Sequence, residues 1–169
     1  MMRSLALFCS LFTALAMAPA HALDAGTVQG HLQYDKQRHE LRHALAVPDP
    51  YNSQRLWVLL TTAEISARDA SDPARALKLA MDGKLRGVRL SVDAAAPQAK
   101  ELQGALLLSK EESPGGEIVF AAGGEKFWER LATGDKRVVG TLRYAKEPTV
   151  SGSPGWAIDV KFSAPVFAK

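Results

Sequence analysis

A seven-residue pattern that occurs twice is the strongest constraint on the fold of this chain. Both copies read V-x-G-x-L-x-Y, once over residues 28–34 and again over residues 138–144. Alternate residues of a β-strand share one face, so the apolar positions of each copy predict a strand with one buried face. A glycine inside such a strand indicates a bend or a close backbone approach. The two copies therefore predict strands at similar positions of one curved sheet.

Other short apolar or alternating runs, several of them next to turn residues, predict further strands. They span residues 56–62, 87–92, 104–106, 117–121 and 156–162. Seven or eight short strands with one or two short helices are typical of an antiparallel sandwich or barrel. We therefore expect a mainly β fold of this kind.

One helix is predicted between residues 72 and 83. Asp72 is a suitable N-cap, Pro73 suits the first helical position, and Gly83 ends the pattern. An apolar stripe at helical spacing lies between them, formed by Leu77, Ala80 and Met81. A second short helical turn is predicted at Phe127-Trp128 with Leu131.

The N-terminal residues have the pattern of an export signal. Arg3 supplies a positive charge, residues 5–15 form an apolar run too short to span a bilayer, and Ala20-His21-Ala22 fits the A-x-A cleavage pattern. We expect residues 1–22 to be a cleaved signal peptide and residues 23–169 to form a single β-rich domain. The mature protein is then expected to be periplasmic or secreted, with no integral membrane segment.

Cleavage after residue 22 would remove the chain's single cysteine, Cys9. The mature protein would then have neither thiol catalysis nor a cysteine-based zinc site, and its core alone would have to stabilise it. Loss of Arg3 lowers the formal net charge of +3 by one, to +2, and no block of like charge occurs. Nucleic acid is therefore not an expected partner.

HELRH, at residues 39–43, is the only string that suggests catalysis. It fits the H-E-x-x-H pattern, in which two histidines one helical turn apart bind zinc. The string resembles the motif HExxHxxGxxH of secreted metzincin-type proteases, some of which have aspartate as the last ligand. The resemblance implies a zinc-dependent hydrolase with His39, His43 and Asp49 as ligands and Glu40 as the general base.

Three features depart from the metzincin pattern. Ala46 stands where the motif has glycine, and Pro48 directly precedes the third ligand position. Only residues 23–38 precede HELRH in the predicted mature chain, which leaves no room for the sheet that normally comes before such an active-site helix.

A β-hairpin is the alternative structure for HELRH, and it is the one we favour. With a turn at residues 35–38, the first V-x-G-x-L-x-Y copy would pair with the strand that follows it. The expected pairs are Tyr34 with His39, Leu32 with Leu41, Gly30 with His43, and Val28 with Leu45. The two histidines would then lie about 13 Å apart along a strand, too far to share one metal ion. We therefore expect no cofactor, with zinc as the alternative.

The remaining candidates are weaker. Trp57 and Trp156 are expected in the core, whereas Trp128, close to two glycines, is a candidate for an exposed binding residue. The adjacent Glu111 and Glu112 are expected to be solvated beside a turn. No serine-nucleophile motif occurs. The sequence thus predicts a non-catalytic binding or interaction protein of the cell envelope, whose partner is an envelope protein or a small ligand; inhibitor and carbohydrate-binding roles both remain open.

Overall fold

The computed structural model describes residues 23–97, 101–123, 128–134, 136–148, 152 and 154–167, without the side chains at positions 101, 122–123 and 128–129. The predicted signal peptide lies outside the described residues. Ten strands and two helices occupy the described part: β1 (Thr27–Tyr34), β2 (Gln37–Glu40), β3 (His43–Asp49), β4 (Asn52–Thr61), α1 (Ala67–Ala70), α2 (Pro73–Met81), β5 (Gly87–Asp93), β6 (Glu101–Leu107), β7 (Glu117–Gly123), β8 (Trp128–Gly134), β9 (Arg137–Lys146) and β10 (Trp156–Pro165).

All ten strands belong to one antiparallel sheet. Its order is β7-β6-β5-β4-β3-β1-β10-β9-β8, and β2 pairs with β1 beside β3. The sheet curls into a half-barrel, so the prediction of a mainly β, antiparallel fold is confirmed. The sheet has more strands than the seven or eight predicted, partly because residues 37–49 form two strands.

The two copies of V-x-G-x-L-x-Y form β1 and β9, which lie on either side of β10. In both copies the glycine allows atoms of a neighbouring strand to lie close to its backbone. Gly30 has a φ of 130°, and a Cβ atom there would lie 2.0 Å from the backbone oxygen of Asp159 in β10. A Cβ atom on Gly140 would lie 2.8 Å from the Leu131 side chain and 2.9 Å from that of Phe162. The prediction that the two copies occupy similar places in one curved sheet is therefore confirmed.

The hairpin between β1 and β2 forms, but its register differs from the predicted one. Its loop is two residues long, so Tyr34 is opposite Gln37 and Leu32 is opposite His39. Asp35 takes a φ of 52°, a left-handed conformation that aspartate tolerates better than most residues and that suits a tight turn. The predicted four-residue turn is therefore wrong: the partners of Tyr34 and Leu32 shift by two residues, and His43 pairs with Thr27 rather than with Gly30.

Helix α2 confirms the predicted helix. The Asp72 side chain caps it by accepting from the backbone N–H groups of Ala74 and Arg75. The predicted helical turn around Trp128 and Leu131 is wrong, because these residues lie in β8. Leu131 is buried opposite Gly140 of β9, and this pairing outweighs local helical spacing.

Over part of the sheet, apolar side chains are buried on both of its faces. The concave face holds the larger cluster, which includes Leu32, Val58, Leu90, Leu106, Phe120, Leu142, Trp156 and Phe162. On the convex face the two helices cover a second cluster, which includes Leu45, Trp57, Leu59, Ala76, Ala80 and Leu107. The expectation that Trp57 and Trp156 are buried is confirmed. In the described part of the chain, no helix is long and apolar enough to cross a membrane.

Candidate functional site

The HELRH segment lies on two strands rather than on a helix. His39 and Glu40 end β2, whereas His43 begins β3. His39 is opposite the buried Leu32, and His43 is paired with Thr27 on one side and Thr61 on the other. The helical i, i+4 geometry that the zinc alternative requires is therefore not formed.

The other two residues of the zinc alternative have separate contacts. Glu40 is exposed and lies 2.7 Å from the Arg38 guanidinium, whose hydrogen bond holds the pKa of Glu40 below its ordinary value. Asp49 ends β3, where its carboxylate accepts from the backbone N–H of Tyr51 and from the Ser91 hydroxyl. Among the described residues, no three His, Cys, Asp or Glu side chains are grouped so that they could hold a metal ion.

His39 instead contacts a buried glutamate from a distant loop. Its Nε2 atom lies 2.7 Å from Oε1 of Glu112, whose side chain is only 4% exposed. The two atoms are close, but the ring N–H does not point along the line between them, so the contact lacks hydrogen-bond geometry. The contact is an ion pair when the imidazole carries its second proton.

Glu112 is the centre of this group of side chains. Its Oε2 atom accepts from Nε of Arg86 at 2.7 Å and from the backbone N–H and hydroxyl of Ser109 at 2.9 and 2.8 Å. Burial by itself raises the pKa of Glu112, but the Ser109 hydrogen bonds and the Arg86 charge outweigh burial and lower the pKa below its ordinary value. We call His39, Arg86, Ser109 and Glu112 the buried ion cluster.

The buried ion cluster contains the residue types of a hydrolase triad in the wrong order. In a Ser-His-Asp triad the imidazole lies between the hydroxyl and the carboxylate, so that it can take the hydroxyl proton. Here the carboxylate of Glu112 lies between Ser109 and His39. Ser109 is also fully buried, out of reach of a substrate. The cluster therefore joins β2, the segment just before β5 and the β6–β7 loop, and this arrangement supports a structural role.

A second group of polar side chains lies on the convex face, next to the area that the helices cover. There residues of β4 to β7 and of the end of β3 form a groove of about 470 Å³. We call it the convex groove. It is lined by Asp49, Trp57, Arg89, Ser91, Gln103, Gly104, Val119, Phe120 and Ala121.

Arg89 is held in place at the floor of the convex groove. Its guanidinium carbon lies 4.2 Å from the centre of the Trp57 ring, which is a cation–π geometry. One of its nitrogens donates a short hydrogen bond to Glu117, and both side chains of this pair are largely buried. Tyr51 packs edge-on against Trp57 with ring centres 5.9 Å apart, and Tyr51 itself is 79% exposed.

A second set of hydrogen bonds fixes the opposite side of the convex groove. The Ser91 hydroxyl donates to Asp49 at 3.3 Å. Arg55 donates to the side-chain oxygen of Gln103 at 3.2 Å and to the backbone oxygen of Ser91 at 3.0 Å. The polar side chains of the groove are therefore positioned by the protein itself.

Another groove on the sheet, beside β9 and β10, has a more exposed charged pair. Its charged pair, Arg143 and Asp159, lies 3.2 Å apart, and the two side chains are 64% and 47% exposed. Solvent weakens an ion pair that is this exposed. The convex groove is the better candidate site because its charges are partly buried and mutually held.

The sequence-predicted and observed site residues overlap at one position. Asp49 lines the convex groove, although the sequence proposed it only as a zinc ligand. Trp128 begins β8, but its side chain is outside the described residues, so its proposed binding role stays a prediction. Glu112 is buried rather than solvated as expected, while its neighbour Glu111 is exposed.

Sequence reasoning missed Arg89 and Gln103, although a signal for them exists. Both lie on strands that alternate, and in each strand they occupy outward positions between buried residues such as Val88, Leu90 and Leu102. Alternation shows that these residues face outward, but only the strand order shows that their faces meet.

Comparison with known proteins gives no match: no family model, no curated protein and no solved structure is detectably similar to this chain.

Proposed function

We propose that this chain is an exported, non-catalytic binding protein of the cell envelope and that the convex groove is its binding surface. The observation that carries this proposal is the ordered groove itself, in which Arg89 and Asp49 are already fixed by neighbouring side chains. Binding to fixed side chains costs less conformational entropy than binding to mobile ones. The groove volume of about 470 Å³ lies in the range of ligand sites.

The location rests on the N-terminal pattern of residues 1–22. Cells that express the full chain can be fractionated, and the N-terminus of the recovered protein can be sequenced. An exported chain that begins at Leu23 supports the proposal, whereas an uncleaved chain in the cytosol contradicts it.

A matched pair of variants tests the groove. Val119 is 76% exposed on the groove wall, and Val139 is 41% exposed on β9, outside the groove. The parent protein, Val119→Arg and Val139→Arg are each immobilised and exposed to envelope extract of the source organism. We expect the parent and Val139→Arg to retain a common component that Val119→Arg loses. The proposal fails if the parent retains nothing specific or if Val119→Arg retains the same component.

A further inference from the structure

The charged side chains of the convex groove already have partners within the protein. Arg89 is paired with Glu117, and Asp49 is satisfied by the neutral donors Ser91 and Tyr51. Beside the groove, hydrogen bonds from the backbone N–H groups of Ala96 and Ala95 lower the pKa of Asp93, and the nearby Arg55 charge lowers it further. An anionic ligand would have to displace Glu117 from Arg89 and would be repelled by Asp49, whereas a neutral polar ligand requires no such exchange.

The groove nevertheless retains hydrogen-bonding capacity. The guanidinium of Arg89 uses one nitrogen for Glu117, and Gln103 uses only its side-chain oxygen, to accept from Arg55. The remaining N–H groups of both side chains have no partner among the described residues. The Asp49 carboxylate accepts two hydrogen bonds and has lone pairs left. Donors and acceptors therefore lie side by side, as vicinal hydroxyl groups require, because each hydroxyl both donates and accepts.

Apolar groups complete the site. Val119, Ala121 and Trp57 line the groove, and the exposed Tyr51 packs on Trp57. The C–H face of a pyranose ring packs on such an aromatic surface while its hydroxyls reach polar groups at the edge. A purely apolar ligand would leave Arg89, Gln103 and Asp49 desolvated without partners, which is unfavourable.

We propose that the convex groove binds a segment of a neutral glycan, with Arg89, Gln103 and Asp49 bonding its hydroxyls and Tyr51 packing on a sugar ring. This inference rests on the proposed function, because it names the ligand class of the same groove. It separates the carbohydrate-binding role from the inhibitor role that the sequence left open.

The test uses the purified protein and four probes of similar length. Cellotetraose, maltotetraose and chitotetraose are neutral, and tetragalacturonic acid is the anionic counterpart. Binding is followed by amide chemical shifts over a millimolar concentration range. We expect saturable shifts at residues of the groove with at least one neutral probe and weaker binding of the anionic one.

Variants place the binding in the groove. Tyr51→Ala and Gln103→Ala should each weaken binding about three- to tenfold, the range expected for loss of one aromatic contact or one hydrogen bond. Val139→Ala, outside the groove, should bind like the parent. The inference is overturned if no neutral probe binds, if the anion binds more tightly, or if both groove variants bind like the parent.

The two proposals can fail separately. If Val119→Arg loses an envelope component while no neutral probe binds the parent, the groove remains a binding surface and the glycan assignment is wrong. If neutral probes bind but shift residues elsewhere, the groove assignment itself is wrong, and both proposals fall.

Discussion

The carboxylate of Glu112 holds together segments that are far apart in the sequence. Arg86 and Ser109 donate hydrogen bonds to it, and His39 lies 2.7 Å away. Removing one charge from a buried ion pair is strongly destabilising, since the remaining charge stays in a poorly solvated site without its partner.

Replacing Glu112 with glutamine tests the buried ion cluster. We expect Glu112→Gln to lower the free energy of unfolding by about 3 kcal/mol, because Arg86 stays partly buried after the countercharge is lost. Urea denaturation measures the change. Glu111→Gln is the matched control, since Glu111 is exposed in the same loop and should leave stability close to that of the parent. Equal stability of the two variants would contradict the structural role.

The same carboxylate makes stability depend on pH. The pKa of Glu112 is lower in the folded protein than in the unfolded chain, so its charge stabilises the fold above the unfolded pKa. That contribution is lost as the pH falls through the folded pKa. We expect the stability difference between the parent and Glu112→Gln to shrink as the pH falls below about 4.5, the ordinary pKa of a glutamate. Denaturation at several pH values measures it, and a difference that grows in acid would oppose this account.

At the scale of residues, the sequence predicted the exposure of neighbouring side chains poorly. Glu111 and Glu112 are adjacent and chemically identical, yet one is exposed and the other is buried against Arg86. The difference arises from contacts with residues far along the chain, which local pattern does not contain. HELRH shows the same limit, because its match to a motif carries no information on whether the backbone is helical.

At the scale of elements, the glycine of β1 can be tested directly. Gly30 has a φ of 130°, and a methyl group there would collide with Asp159 of β10. Gly30→Ala should therefore lower the free energy of unfolding by about 2–4 kcal/mol, through backbone strain and overpacking.

Gly134 in β8 provides the control, since a Cβ atom there has no neighbour within 4 Å. Gly134→Ala should leave thermal stability near that of the parent, and Gly30→Ala should lower the melting temperature. If the two variants melt together, β1 and β10 do not approach as closely as the structure shows.

The sequence predicted the elements that have a cap or a clear alternation of their own. It did not predict the features that depend on pairing with other strands. Helix α2 follows from its cap at Asp72, and β1 and β9 follow from alternation. The register of the β1–β2 hairpin depends on the backbone of Asp35, and β8 depends on pairing with β9. In both cases the local sequence is compatible with two structures, and contacts outside the segment select one of them.

At the scale of the whole molecule, the mainly β class could be predicted but the single curled sheet could not. The strand order places β1 and β9 on either side of β10 and brings β4 to β7 together, and these pairings join residues distant in sequence. The convex groove exists only after these strands assemble, because its lining residues come from β3 to β7. A candidate site of this kind therefore has no continuous sequence signature.

The curl of the sheet can be tested where strands that are not neighbours touch. Phe120 of β7 packs on Trp156 of β10 with ring centres 4.7 Å apart, across the concave face. Phe120→Ala removes this contact and should lower the free energy of unfolding by about 3–5 kcal/mol. The next residue, Val119, points outward and is 76% exposed, so Val119→Ala should change stability by less than about 0.5 kcal/mol. Urea unfolding followed by circular dichroism compares them. Similar losses in both variants would mean that β7 does not close over β10, and the half-barrel would then have to be more open than described.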